Sequence, residues 1–342
     1  DLTLYWRARA PLTTDYSTTV QLADRFGNRF GASDSQHPND VPTSRWTLDQ
    51  YARDRHHLVS LSGTPPGEYH LLVGAYADSP LSVLQEGAPA GIEYDLGPVT
   101  VSRALPQTPG ALRLVNFDLA DDAVAVGDQL AFTVVWNSGD EPLPALTARL
   151  LLTGSADQTF FSADLPPAGE DYPTLQWTPN ELIRFPFSVG LPPDLVGGAA
   201  KVSLLLMDAS GETRAGGRDL AMITVVVPPR SFSIPPMARR VDYDFADSIR
   251  LLGYDVAADR ITLYWQSLKP VSTRLAVFVH QLDSGGAFVA GHDSAPARST
   301  TSWLAGEVIA DVHPISVGDH FEVGLYDPIT GDRFGEPFVT AP

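Results

Sequence analysis

The stretch ITLYW at residues 261–265 recurs in this chain as LTLYW at 2–6 and as FTVVW at 132–136. Each copy has threonine at its second position and ends on tryptophan. Self-similarity at a long interval is the sequence signature of a repeated structural unit. The apolar, β-branched and aromatic residues within each copy are typical of a β-strand. The chain is therefore predicted to contain one all-β unit three times in tandem.

The similarity extends well beyond this stretch. The first and third copies align without a gap from Trp6 and Trp265 as far as Asp34 and Asp293. After a two-residue change in loop length, three more side chains coincide, namely Trp46, Asp54 and His56 with Trp303, Asp311 and His313. The middle copy is more distant, but its Trp177 falls at the position of Trp303. The length changes fall between predicted strands, where loops tolerate them.

Strand signals recur at short intervals and are interrupted by turn sequences. In the third copy the candidate strands lie at 249–256, 261–267, 273–282, 286–293, 307–316, 319–327 and 333–340. Glycine-containing turns separate several of them, at 284–286, 317–319 and 330–332. Seven short strands in roughly 100 residues are typical of an immunoglobulin-like sandwich of two antiparallel sheets. A jelly roll is the alternative.

Two proline-rich stretches, at 105–110 and 228–236, separate the copies. Because proline cannot donate to a strand ladder, strands are expected to end there. The sequence therefore predicts an all-β chain of three tandem antiparallel β-sandwich (immunoglobulin-like) domains. Their predicted ranges are 1–104, 109–228 and 237–342.

One predicted strand is missing from the first copy. The sequences LRLVNFDL at 112–119 and IRLLGYDV at 249–256 precede the tryptophan-ended strand in the middle and third copies. Nothing comparable stands before the strand at 2–6, since the sequence begins at Asp1. Soluble proteins usually protect an unpaired strand edge. We therefore expect that the missing strand lies upstream of Asp1, in a longer protein of which this chain is a fragment, or that a loop substitutes for it.

Charge and composition exclude several kinds of partner. The net charge is −18, and the chain has no cysteine and only two lysines, Lys201 and Lys269. Such an acidic surface repels phosphate backbones, so we predict no nucleic-acid partner. No apolar run reaches the roughly 18 residues that a membrane-spanning helix needs, so we predict no direct insertion into a bilayer. The lack of cysteine excludes disulfides and thiolate metal sites.

Two Asp–His pairs are the most suggestive polar groups, Asp54 with His56 and Asp311 with His313. Residues two apart in a strand point to the same face of the sheet. Such a pair is able to act as an acid–base pair or as half of a metal site. The alternative interpretation is a cross-strand hydrogen bond on a partly exposed face.

The middle copy argues against a catalytic role for these pairs, because it has Phe185 and Phe187 at the same positions. The sequence also lacks the HExxH zinc motif, the GxSxG elbow, a phosphate-binding glycine loop and a dinucleotide fingerprint. We therefore predict that this chain is not an enzyme, with no catalytic and no metal-binding residues. The two Asp–His pairs stay candidates for ligand binding.

The tryptophans fall into two sets. Those that end the repeated strand share a face with apolar neighbours and are predicted to be core residues: Trp6, Trp136 and Trp265. The others are candidate ligand-binding residues, because an exposed aromatic ring stacks on the apolar face of a sugar: Trp46, Trp177 and Trp303. Their recurrence in every copy also fits a packing role, and both interpretations stay open at this point.

Aspartates cluster in predicted loops at 118–122, 242–247 and 327–332. Calcium takes about six to eight oxygen ligands, but none of these clusters has the spacing of a known calcium loop. Aspartate also favours turns by accepting hydrogen bonds from its own local backbone. We expect no cofactor, with calcium as the one cation that these clusters leave open.

Several phrases of the third copy resemble a known kind of bacterial sequence. They are LLGYDV at 251–256, TLYWQS at 262–267, FVHQLD at 278–283, GEVIADVH at 306–313 and VGLYDPITGDRF at 323–334. Together they resemble the extracytoplasmic β-sandwich repeats at the C-terminal end of multi-pass membrane proteins. Those proteins are glycosyltransferase-like (mannosyltransferase-like) or uncharacterised. The resemblance implies a bacterial cell-surface or periplasmic location, and it implies that the catalytic residues lie in the membrane portion rather than here.

These observations favour a non-catalytic extracytoplasmic module, which serves as a spacer, a docking region or a glycan-binding accessory of a bacterial membrane protein. Its expected partners are a glycan or the membrane portion of the same polypeptide. The full-length protein is expected to be anchored in the membrane. The alternative is a free-standing secreted or surface protein that binds carbohydrate or mediates adhesion.

Overall fold

The computed structural model describes residues 1–103, 109–315 and 320–340, and it has an all-β fold. About half of it, 50%, is strand and only 4% is helical. The helical part consists of single 3-10 turns at Pro38–Asp40, Thr43–Arg45, Thr174–Gln176 and Thr300–Ser302. Most of the predicted linker at 105–110 and the predicted turn at 317–319 lie outside the described residues.

The chain divides into two compact units. One comprises Asp1–Asp122, Ala131–Val189 and Ala200–Ile223. The other comprises Ala123–Leu130, Gly190–Ala199 and Thr224–Pro342. This division does not follow the three predicted domain ranges, which stay a prediction.

The first repeat forms three antiparallel sheets. Its strands are β1 (Leu2–Trp6), β2 (Ser17–Ala23), β3 (Arg29–Ser35), β4 (Ala52–His56), β5 (Gly67–Tyr76), β6 (Leu84–Gln85), β7 (Ala88–Pro89) and β8 (Tyr94–Val101). One sheet has the order β3-β2-β5-β8, β1 pairs with β4, and β6 pairs with β7. Val20 and Leu22, two apart on β2, are both buried, as the two-residue period of a strand requires.

The middle repeat contributes β9 (Arg113–Leu119), β10 (Ala123–Ala125), β11 (Gln129–Asn137), β12 (Thr147–Thr153), β13 (Thr159–Leu165), β14 (Leu182–Gly190), β15 (Gly198–Met207) and β16 (Thr213–Val226). The strand orders are β14-β11-β9 and β10-β16-β15-β12-β13. Leu150 on β12 lies opposite Leu204 on β15, and both side chains are fully buried. Apolar residues at alternate positions of both strands thus form one buried face.

The third repeat contains β17 (Arg239–Phe245), β18 (Ile249–Val256), β19 (Arg260–Ser267), β20 (Ala276–Leu282), β21 (Phe288–Ser294), β22 (Val308–Pro314), β23 (His320–Tyr326) and β24 (Phe338–Val339). Its sheets have the orders β17-β18-β19-β22 and β21-β20-β23-β24. One hydrophobic cluster takes Leu251, Leu263 and Trp265 from the first sheet and Val277 and Val323 from the second. The two antiparallel sheets therefore pack face to face around a shared core, which is the arrangement of a β-sandwich.

The strand prediction missed β17 and misplaced some aspartates. Asp118 lies in β9, and Asp242 and Asp244 lie in β17, so the prediction that they belong to loops was wrong. Asp242 has a φ of 57°, and the pairing of β17 with β18 shifts register between Arg240 and Tyr243. This bulge interrupts the alternation of apolar residues by which a strand is recognised in the sequence. Asp327 does serve a turn, because its Oδ1 accepts the backbone N–H of Ile329 at 2.8 Å.

The repeated strand has different neighbours in the first and third repeats. In the third, β19 lies between β18 and β22, whereas in the described part of the first repeat the equivalent strand β1 pairs only with β4. Trp265 on β19 is therefore fully buried, while Trp6 on β1 is only half-buried. Trp136 and Trp265 are core residues as predicted. Trp6 was also predicted to be a core residue, but it is less buried than predicted, because no described strand covers the outer edge of β1.

Candidate functional site

The Asp54–His56 pair lies in the interior of the first repeat, where β4 faces β2 and β3 of the four-stranded sheet. Asp54 is 1% exposed and His56 is 2% exposed. The pair is therefore buried and does not lie on the partly exposed face that the second interpretation of the sequence expected. Asp54 Oδ2 accepts hydrogen bonds from Trp6 Nε1 at 3.0 Å, from Thr18 Oγ1 at 2.6 Å and from His56 Nε2 at 2.9 Å. The pair thus joins β4 to β1 and β2 through one carboxylate oxygen.

The surroundings of this carboxylate favour its ionised form. Burial alone would raise the pKa of Asp54, but the hydrogen bonds from Thr18, His56 and Trp6 outweigh burial and lower the pKa below its usual value. Nδ1 of His56 lies 2.9 Å from the carbonyl oxygen of Ser33. The same nitrogen lies 3.3 Å from Ser33 Oγ, so the ring contacts Ser33 on β3 as well as Asp54.

Substitution of Asp54 by asparagine tests this assignment through its pH dependence. A carboxyl group with a depressed folded pKa contributes stability above its unfolded pKa of about 4, and that stability is lost as the pH falls through the folded pKa. We expect Asp54→Asn to lower the free energy of unfolding by about 1–3 kcal/mol at pH 7 and by less at pH 3. Urea unfolding of both proteins at the two pH values measures the difference. A penalty that does not change with pH would contradict an ionised Asp54.

The Asp311–His313 pair is equally buried, but its partners differ. His313 Nε2 lies 2.7 Å from Asp311 Oδ2, and Asp311 Oδ1 accepts the backbone N–H of Ala297 at 2.9 Å. His313 Nδ1 faces Nδ1 of His292 at 3.1 Å, where the first repeat has the carbonyl of Ser33. One of these two nitrogens has to accept the proton that the other donates. At least one of the two rings is therefore unprotonated at Nδ1.

The corresponding side chains of the middle repeat are also interior. Phe185 and Phe187 are 8% and 7% exposed, and their rings pack edge to face with centroids 4.9 Å apart. The same pair of positions thus holds a hydrogen-bonded Asp and His in the first and third repeats and two aromatic rings in the middle repeat. Because these side chains are buried, none of them presents a polar atom to a ligand in this conformation.

Trp46, Trp177 and Trp303 follow the same local structure in each repeat. A 3-10 turn that begins with threonine precedes each one, and the indole Nε1 donates to the carbonyl five residues earlier, of Val41, Tyr172 or Arg298, at 3.0–3.1 Å. The three threonine hydroxyls make the same pair of backbone hydrogen bonds: Thr43, Thr174 and Thr300. Threonine three residues before tryptophan is thus a sequence signal for this turn in all three repeats.

Burial separates these three tryptophans. Trp303 is fully buried and Trp177 is 4% exposed, whereas Trp46 is half-buried. A sugar needs an open ring face for stacking, and Trp177 and Trp303 have none. Their packing role is thus supported. Trp46 stays a candidate, beside Tyr51, which is 63% exposed.

Within the described ranges, no three His, Cys, Asp or Glu side chains are grouped so that they could hold a metal ion. The expectation about calcium stays a prediction. No helix among the described residues has the length and apolar character needed to cross a membrane.

An open apolar groove lies beside β1 in the first repeat, and we call it the β1 groove. Its cavity volume is about 430 Å³. Its lining comes from β1, β5, β8 and the loop after β5: Leu4, Tyr5, Trp6, Val73, Gly74, Ala75, Leu81, Ser82, Val83, Tyr94 and Leu96. Tyr5, Tyr94 and Leu96 are 65%, 48% and 41% exposed. Loop residues 81–83 thus line the groove but leave it open, and the expectation of a substituting loop stays a prediction.

A contiguous exposed apolar surface in a soluble domain commonly marks an interaction site. The sequence indicated this place only indirectly, through the absence of a strand before β1. The sequence did not indicate the contribution of Leu81, Tyr94 and Leu96, because nothing in the repeat pattern identifies them.

Comparisons with known proteins add little to this geometry. No family model and no curated protein matches the chain. Among solved structures, it is similar to a DUF4785 family protein from Legionella pneumophila, at 10% sequence identity and a TM-score of 0.21. That similarity covers 98% of this chain and 84% of the other one. At this TM-score it carries no argument about fold or function.

Proposed function

We propose that this chain is a non-catalytic docking module of three tandem immunoglobulin-like β-sandwich domains. It would work outside the cytoplasmic membrane as an accessory region of a glycosyltransferase-like bacterial membrane protein. Its partner would be the membrane portion of the same polypeptide. The membrane context comes from the sequence resemblance of the third repeat.

One observation supports a docking role rather than a catalytic one. The candidate acid–base pairs are buried and hydrogen-bonded within their own repeats, at 1–3% exposure for Asp54, His56 and Asp311 and 0% for His313. The accessible concave surface of the β1 groove is apolar instead, and it lies at a strand edge. Catalysis requires polar groups within reach of a substrate, whereas the buried centre of a protein–protein interface is more apolar than the rest of the surface.

The second candidate function is carbohydrate binding by a free-standing surface protein. It is favoured by a polar and aromatic cluster in the first repeat, where the Arg7 guanidinium lies 5.8 Å from the centre of the Tyr51 ring. Trp46 lies close by, lining one small depression with Tyr51. An exposed tyrosine beside an arginine suits a sugar ring and its hydroxyls.

Site-specific photo-cross-linking in the source bacterium tests docking. A photoreactive phenylalanine analogue at Tyr5, in the full-length protein, should give cross-links that map to the membrane portion of the same polypeptide. Phe288 is the matched control, because its exposure of 63% is close to the 65% of Tyr5 and it lies in the third repeat. Little cross-linking is expected from position 288.

Two results would overturn the docking proposal. One is equal or absent cross-linking from positions 5 and 288. The other is specific binding on a glycan array that disappears in Tyr51→Ala, which would support the carbohydrate-binding alternative. Tyr94→Ala is the control for the array, since Tyr94 is exposed but lines the β1 groove.

A further inference from the structure

We infer that the β1 groove accepts an extended β-strand from a partner segment outside this chain. The strand would run antiparallel to β1, and its alternate residues would be apolar. This inference rests on the proposed docking function and specifies the kind of partner. The third repeat supplies the template, because it holds such a strand of its own at the same place.

The template strand is β18, which pairs antiparallel with β19. Leu251 lies opposite Trp265, and Tyr254 lies opposite Leu263. Leu251 belongs to the buried hydrophobic cluster, and Tyr254 packs against that cluster. Strand β18 thus adds both backbone hydrogen bonds and apolar side chains to the sandwich, the two contributions by which an added strand is held in β-augmentation.

The residues that receive β18 have counterparts around the β1 groove. Leu263, Trp265, Val323 and Leu325 are at most 1% exposed in the third repeat. By the alignment of the repeats their counterparts are Leu4, Trp6, Val73 and Ala75, and all four line the groove. An apolar cavity of about 150 Å³ is what deleting one large side chain leaves. The groove, at about 430 Å³, has room for more than one.

Tyr5 indicates that the partner strand carries a hydrogen-bond acceptor for its hydroxyl. Its counterpart Tyr264 donates a hydrogen bond from its hydroxyl to Asp255 Oδ2 at 2.8 Å, and Asp255 belongs to β18. Tyr5 is 65% exposed. A partner strand with aspartate near its end, as in LLGYDV, would meet this hydroxyl in the same way.

A second copy of this chain is a poor source of the strand. Its segments with the required pattern, β9 and β18, are already hydrogen-bonded to β11 and β19. Donating either would expose the core that it now covers, at a large cost in buried apolar surface. A separate segment that is extended when free has no such cost.

Two synthetic peptides serve as probes, with the sequences of residues 248–257 and 111–120. We expect saturable binding of at least one of them below about 1 mM. Binding should shift the tryptophan fluorescence to shorter wavelength as Trp6 becomes buried, and Trp6→Phe should abolish the shift. The amides of Leu2–Trp6 should exchange more slowly with the peptide bound, because hydrogen bonds along the strand edge distinguish strand addition from side-chain contact alone.

A matched pair of variants locates the binding. Leu96→Lys places a charge in the groove at a position already 41% exposed, so it should leave folding intact and weaken binding about tenfold or more. Leu84→Lys, at a position 64% exposed and outside the lining, should bind as the unmodified chain does. Circular dichroism of both variants verifies the fold.

Three results would overturn strand addition: no saturable binding of either peptide, binding that Leu96→Lys does not weaken, or binding without slower exchange in β1. Self-association of the chain that buries Trp6, seen by light scattering at rising concentration, would instead identify a second copy as the occupant. If the peptides fail while Tyr5 still cross-links to the membrane portion, docking stands and only the strand mechanism falls.

Discussion

Replacement of Trp265 by alanine is expected to lower the free energy of unfolding of the second unit by about 3–5 kcal/mol, the usual cost of removing a large aromatic side chain from a core. The Trp265 side chain is fully buried and meets the ring of Phe245 edge to face, with centroids 5.6 Å apart. Its Nε1 has no hydrogen-bond partner among the described residues. The loss should therefore come from the cavity and the missing contacts rather than from a broken hydrogen bond.

Trp6→Ala is the matched control, because Trp6 occupies the same position of the repeated strand but is only half-buried. We expect a smaller loss there, measured by urea unfolding with fluorescence and circular dichroism as separate probes. Equal losses at the two positions would show that Trp6 is as deeply packed in solution as Trp265. That result would also remove the basis for an open groove beside β1.

Replacement of Glu307 by glutamine is expected to cost about 3–5 kcal/mol, because removing one partner of a buried ion pair leaves the other charges uncompensated. The Glu307 side chain is 0% exposed and binds two guanidinium groups. Arg230 Nη1 lies 2.7 Å from Oε2, and Arg298 Nη2 lies 2.6 Å from Oε1. Oε2 also accepts the backbone N–H of Leu304, so the carboxylate holds the chain just after Trp303.

The surface pair of Arg149 and Asp164 provides the comparison. It has equally short, bidentate hydrogen bonds of 2.6 and 2.8 Å, but its side chains are 43% and 51% exposed. Exposed pairs of this kind contribute at most about 1 kcal/mol, so Asp164→Asn should have little effect on thermal unfolding. A loss in Glu307→Gln no larger than that of Asp164→Asn would mean that water reaches Glu307 in solution.

The repeat predicted the strands well where apolar residues alternate. Strand β18 occupies the predicted range 249–256, and β19 and β22 lie within two residues of their predictions. Alternation is a direct consequence of strand geometry, so it can be read from the residues alone. Strand β17 was not predicted because its bulge and its aspartates break that alternation.

The sequence predicted less about the candidate sites. It placed Asp54 and His56 on one face of a strand correctly, but it did not indicate that this face is the buried one. Polar side chains are usually exposed, and the hydrogen bonds that allow this burial come from Thr18 and Ser33, which are distant in sequence. The β1 groove likewise depends on loop residues that nothing in the repeat identifies.

The unfilled side of β1 makes the first repeat dependent on its surroundings. A strand that binds only the folded form adds its binding free energy to the stability of that form. Without it, β1 pairs only with β4 among the described strands, and weakly held edges are where local fraying and proteolytic cleavage begin. Resistance of β1 to proteases would thus report whether the module is bound to its partner, so that assembly and resistance to degradation would change together.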